Sequence, residues 1–161
     1  MTTLSIEQRL DRLESLEMIR RLKHRYCQFC DQNYDAELLK TLFWNDAIWD
    51  AGPLFGKFHG QEAIAGFFRT VSSNIVWARH FVFNELIDVN PDGETAQGEF
   101  QIMEPCTFQL KDKQQAAWLI GRYQETYTRR QGIWKFQTLK ADPSAAQYSM
   151  WSISLFFYQF L

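Results

Sequence analysis

Three histidines, His24, His59 and His80, are the side chains best suited to proton transfer near neutral pH. His24 falls among charged residues and reads as exposed, and His59 precedes Gly60 in a loop or short strand. His80 stands in an apolar stretch, WARHFVFN, where a buried neutral imidazole is either a structural residue or a competent base. A base of this kind needs a carboxylate or carbonyl to set its tautomer, and Asp31 could serve. Asp31 also reads as an ordinary exposed acid before the turn Asp31-Gln32-Asn33. Tyr26 lies five residues earlier on an apolar stripe, so it points inward, whether as a core tyrosine or as a site residue. On an ideal helix that spacing puts Asp31 roughly 140° round from Tyr26. The two would share no narrow stripe but could flank one wide cavity.

Other chemistries lack a motif. The chain has no GxSxG, Walker loop, GxGxxG or HExxH, and no two histidines have ligand spacing. No metal and no cofactor is therefore expected. Cys27-Gln28-Phe29-Cys30 has CxxC spacing but no second ligand pair. Three cysteines and a polar N-terminus point to reduced thiols and a cytoplasmic protein. The net charge is −2, and the basic cluster Arg20, Arg21, Lys23, His24 and Arg25 reads as a solvated helix face, not a nucleic-acid surface. No apolar run approaches a membrane span. Fourteen Phe and six Trp suit an aromatic core or an aromatic-lined cavity.

These residues must be positioned by elements that the periodicity predicts. Residues 5–32 form one long helix, capped by Ser5 with Gln8 reaching back. Its stripe is Leu10, Leu13, Leu16, Ile19, Leu22, Tyr26 and Phe29. A second helix covers 35–44, a strand 46–51, a short return strand 55–59 and a third helix 61–73. Period-two segments follow at 78–90, 95–110, 115–130 and 133–140. Pro91-Asp92-Gly93, Lys111-Asp112-Lys113 and Gln131-Gly132 supply the turns, and Pro105 interrupts the second strand. Phe100 and Ile102 share a face with Glu104. Helices followed by a meander of long strands make an α+β domain, a curved mixed or antiparallel sheet wrapped over three N-terminal helices with an interior pocket. The expected organisation is a domain over 1–143 and an apolar tail over 144–161 that covers the pocket or a subunit interface.

Four strings carry a resemblance: IRRLKHRYCQFCDQNYDAELLKTLFWNDAIWD, FHGQEAIAGFF, RHFVFN and GRYQETYTRRQGIWKF. Spread over residues 10–140, they resemble the SnoaL-like branch of the nuclear-transport-factor-like cone fold, also called cystatin-like. Bile-acid 7α-dehydratase-like proteins and hexachlorocyclohexane dehydrochlorinase are the nearest members, and scytalone dehydratase is more distant. The resemblance implies a cofactor-independent lyase that eliminates water or HX from a hydrophobic, steroid-like or alicyclic substrate, in a homo-oligomer, trimer or dimer. It implies His80 as general base, Asp31 as its orienting partner and Tyr26 as a hydrogen-bond donor. The dehydrochlorinase has a lysine where Tyr26 stands, which points to the dehydratase side. An arginine for developing negative charge corresponds to Arg129, or in the alternative register Arg130. A pocket residue of the middle strand falls at Met103 or Glu104. Trp49, Phe55, Trp77 and Phe83 would wall the pocket, or are core packing. The same cone could serve an isomerase or a non-catalytic binder of small molecules.

Overall fold

The computed structural model describes residues 4–142, and the 144–161 tail expected over the pocket or a subunit interface lies outside the described residues. Helix α1 (Ile6–Asp31) starts as its sequence requires: Gln8 N–H donates to Ser5 Oγ and Ser5 N–H donates to Gln8 Oε1. Helix α2 (Ala36–Thr41) is capped by Asp35, whose carboxylate accepts from the N–H groups of Glu37 and Leu38. The chain continues through β1 (Phe43–Asp50), a single turn α3 (Gly52–Phe55), β2 (Lys57–His59) and α4 (Gln61–Val71). Four more segments follow: β3 (Ile75–Ala78), β4 (Phe81–Val89), β5 (Thr95–Leu110) and β6 (Lys113–Arg130), before the closing strand β7 (Ile133–Asp142).

The strands form one sheet in the order β2-β1-β7-β6-β5-β3, with β4 also paired to β5. Only β1 with β7 is parallel. Even-numbered residues of β5 from Ala96 to Cys106 are buried and the odd ones turn outward or to the margin, which is the alternation of a sheet with one covered face. Glu104 is thus the inward residue, and Met103 is not. Gln131 and Gly132 both take positive φ, which lets a tight turn follow the right-handed twist of β6 and β7. Helices and sheet enclose an aromatic core in which Tyr26 meets Phe43, Phe68, Tyr123 and Phe136 edge-on.

Three expectations are corrected. The apolar stripe of α1 is fully buried only from Ile19 onward, and Leu10 and Leu13 are exposed. Lys23, read as part of a solvated basic face, has no exposed surface. Pro105 leaves its own strand continuous and breaks its neighbour. The predicted strand 78–90 is split into β3 and β4, with Arg79 and His80 between them. The register is the same on both sides of the gap, Ala78 facing Cys106 and Phe81 facing Met103, so Arg79 lies opposite Pro105 and His80 opposite Glu104. Arg79 N–H donates to the Pro105 carbonyl, but proline has no N–H to return the bond. The ladder opens there and the His80 backbone turns to another partner.

Candidate active site

That partner is Asp31, in the last turn of α1. One carboxylate oxygen, Oδ1, accepts from the His80 backbone N–H at 2.9 Å and meets His80 Nδ1 at 2.9 Å. A carboxylate only accepts, so Nδ1 carries a proton, and in the neutral imidazole Nε2 keeps its lone pair. Arg79 reinforces the junction by donating from Nη1 to the Asp31 carbonyl, an otherwise orphaned acceptor at the helix end. Two left-handed residues, Asn33 and Tyr34, then reverse the chain and bury Tyr34.

Nε2 faces a cavity of about 720 Å3, its open mouth included. Tyr26, Tyr34, Trp49, Phe55, Phe67, Phe68 and Tyr123 form much of its wall, with His80 and Glu104 among the polar groups. Trp49 Nε1 donates to the Tyr26 hydroxyl at 3.1 Å. Glu104 Oε2 lies 3.5 Å from His80 Nε2, and Tyr34 donates to Glu104 Oε1 at 3.1 Å. Burial holds the Glu104 carboxyl above its usual range; the neighbouring His80 and the Tyr34 hydrogen bond oppose that rise, and the Asp31 charge adds to it. Burial likewise keeps the phenols of Tyr26, Tyr34 and Tyr123 neutral well past their ordinary range.

The site residues expected from sequence are only partly brought together. Tyr26, Trp49, Phe55, His80 and Glu104 line the cavity. Asp31 does not: it lines a shallow cleft behind His80, and the imidazole is the wall between cleft and cavity. The expectation that Tyr26 and Asp31 reach one cavity is therefore met by Tyr26 alone. Trp77 and Phe83, expected as walls, lie on the outward face at 46% and 41% exposure, because their odd register positions oppose the face of His80.

Arg129, expected to meet developing charge, is bound to Asp11 and Glu94, and Arg130 is bound to Asp46. Both sit at the far end of β6. Glu104 pairs with Leu119, ten positions from Arg129, roughly 33 Å along an extended strand. Arg122 borders the cavity, but it shares the outward register of Gln101, and its Nη2 lies 3.0 Å from Asp142 Oδ2. Arg129→Ala is thus expected to leave turnover within about twofold and to cost about 1 kcal/mol, since the two acids it binds are themselves exposed; steady-state rates and a thermal melt check this.

Sequence reasoning passed over Tyr34. A tyrosine just before the helix cap Asp35 was a usable signal, since a large side chain there has a core to enter. The CxxC spacing has no redox geometry to offer: all three thiols are free and buried, and burial pushes Cys27 up to about 11 and Cys106 to about 12. No helix of the described residues is long and apolar enough to cross a membrane.

Residues 11–140 match the model of the SnoaL-like domain. The chain belongs to the SnoaL-like family. No curated protein sequence matches it significantly. Solved structures share the fold of this SnoaL-like protein. A hexachlorocyclohexane dehydrochlorinase from Novosphingobium barchaimii is 21% identical, with a TM-score of 0.78 over 91% of this chain and 97% of that one. A candidate scytalone dehydratase from Novosphingobium aromaticivorans is 21% identical, with a TM-score of 0.70 over 87% of each chain. A Nostoc punctiforme protein with a cystatin-like fold is 17% identical, with a TM-score of 0.66 over 92% of this chain and 98% of that one. At these identities the likeness is one of architecture: N-terminal helices in a curved sheet.

Proposed function

We propose that this SnoaL-like protein is a cofactor-independent lyase that eliminates water or HX from a hydrophobic, steroid-like or alicyclic substrate. The observation that carries this reading is the His80 imidazole in the wall of an aromatic cavity, held from behind by Asp31 on Nδ1. His80 removes a proton from a carbon made acidic by a neighbouring carbonyl or electron-poor C–X bond. Asp31 holds the tautomer and stabilises the imidazolium that forms. Tyr26, which lines the cavity and stays neutral by burial, is the donor for a substrate oxygen. The apolar lining suits a ring system without charge, and exclusion of water strengthens each polar contact inside.

The expected homo-oligomer, trimer or dimer, belongs to the same proposal. Trp77, Phe81, Phe83 and Leu86 expose apolar surface on the outward side of β3 and β4, which supports burial against another copy.

The test is a panel of hydroxysteroids, 3-oxo-steroids and halogenated alicyclic compounds, each followed for alkene formation with the wild type and with Asp31→Asn. The amide retains an oxygen able to accept both His80 N–H groups but lacks the charge that stabilises an imidazolium. Turnover of this variant is expected to fall by about 10²-fold or more. Product that accumulates equally fast with Asp31→Asn contradicts the dyad. Isomerised instead of eliminated product would identify the same base in an isomerase, and tight binding without turnover would identify a binder.

A further inference from the structure

We propose that Glu104 is the acid that protonates the leaving group, so that the substrate loses an oxygen leaving group, as water, and not a halide. The proposal rests on His80 acting as base. It begins with the hydrogen-bond inventory around the two side chains. Asp31 Oδ1 takes the Nδ1 proton of His80, which leaves Nε2 as an acceptor. Tyr34 donates to Glu104 Oε1. What remains is Glu104 Oε2 facing Nε2 at 3.5 Å, two atoms that both accept unless one proton stands between them. With the imidazole neutral, as a base requires, one proton on Oε2 satisfies the arrangement and leaves only Asp31 charged.

Burial supports the same assignment. The Glu104 side chain has little contact with water, and its carboxyl is held above the usual range by that burial. The groups that face it are His80 from the strand break, Asp31, Cys27 and Cys30 from α1, Tyr34 beyond α1, Cys106 on β5 and Tyr123 on β6. Of these, only the imidazole can carry positive charge.

The reaction then closes on itself. Nε2 takes the proton from the carbon beside the carbonyl, and the C–H electron pair moves onto the carbonyl oxygen. That pair returns to form the C=C bond as the C–O bond breaks. The departing oxygen keeps the C–O electrons and takes the Glu104 proton, leaving as water. The imidazolium and the carboxylate are now neighbours, and transfer of the Nε2 proton to Oε2 restores both. No proton need come from solvent. A halide leaves without a proton, so a buried acid would add nothing. Arg122, at the cavity edge, shares the outward register of Gln101 and is bound to Asp142.

The test uses two probes on one carbon frame: a bicyclic ketone with a β-hydroxyl group and its β-chloro analogue. Glu104→Gln keeps the size, an oxygen for Tyr34 and a donor for Nε2, but cannot release a proton. It is expected to lower kcat on the hydroxy ketone by about 10²-fold or more and to leave the chloro ketone within about threefold. Equal losses on both probes, or none on either, would overturn the proposal. His80→Ala should slow both reactions by about 10²-fold or more; a rate within tenfold of wild type on both means that the underlying base assignment fails separately. Carbon NMR of the labelled Glu104 carboxyl gives a second readout independent of turnover. The carboxyl should titrate above the usual glutamate range, and a group fully ionised by about pH 5 sinks the idea even if neither probe is converted.

Discussion

His80→Ala should lower kcat by about 10² to 10⁴-fold on whichever compound of the panel is converted, with a much smaller change in KM. The split follows from geometry. The His80 side chain is only 4% exposed, contributes little of the cavity's apolar wall and presents one reactive atom to it. Alanine removes that atom but keeps the backbone N–H at this position, which still donates to Asp31, so the junction between α1 and the strand break persists. Binding of an apolar substrate rests on the aromatic wall, which is untouched. Steady-state kinetics beside a thermal melt separates the outcomes. A rate within tenfold of wild type in a folded variant rules out His80 as the base. A collapse of the melt would make the histidine a structural residue.

A second large effect is expected far from catalysis. Lys23→Met should destabilise the fold by about 3–5 kcal/mol, the loss seen when one partner of a buried ion pair is removed. For a chain of this size that is roughly 6–20 °C in Tm. Lys23 Nζ lies 2.5 Å from Glu125 Oε1, and both side chains have 0% exposure. The Tyr127 hydroxyl donates to the other Glu125 oxygen, and the ammonium stands 3.3 Å from the centroid of the Tyr123 ring. Tyr26 and Phe100 complete the surround. Without the ammonium, Glu125 keeps a charge it cannot hydrate. Lys23→Met combined with Glu125→Leu removes both charges and should recover most of the loss, as apolar replacements of buried pairs do. Denaturant and thermal unfolding of the single and double variants provide the measurement. A single variant within about 1 kcal/mol of wild type would mean that the pair contributes no more than an exposed one. Tyr123 and Tyr26 also line the cavity, so this buried charge steadies part of the proposed site.

Much of this was legible in the chain itself, and always where the signal is local. Ser5 and Gln8 mark the start of α1 because a helix leaves its first N–H groups unpaired. Phe100, Ile102 and Glu104 share a face because a strand alternates every two residues. Gln131-Gly132 is a turn because its φ values suit few other sequences. Tyr26 points inward because it follows Ile19 and Leu22 at helical spacing. Each depends on neighbours within a few positions, so periodicity and residue type suffice.

The site's wiring is of another kind. Asp31 and His80 are 49 residues apart, Tyr34 and Glu104 are 70, and Lys23 and Glu125 are 102. Helical geometry correctly put Asp31 off the stripe of Tyr26, yet it had no means of showing that the imidazole would stand between Asp31 and the cavity. Pro105 was visible as a break, but which strand would open depended on its partner in the ladder. Arg129 had the right type and sat on a plausible face, but the wrong end of β6 is a matter of register. Amphipathic period, caps and turns come from energies within a few residues, and these the sequence by itself determined. Where α1 crosses the sheet and how β3 and β4 align on β5 are set by long-range packing, and only the tertiary structure decided them. That packing turned an ordinary terminal aspartate into the partner of a histidine and a surface-looking lysine into the centre of the core.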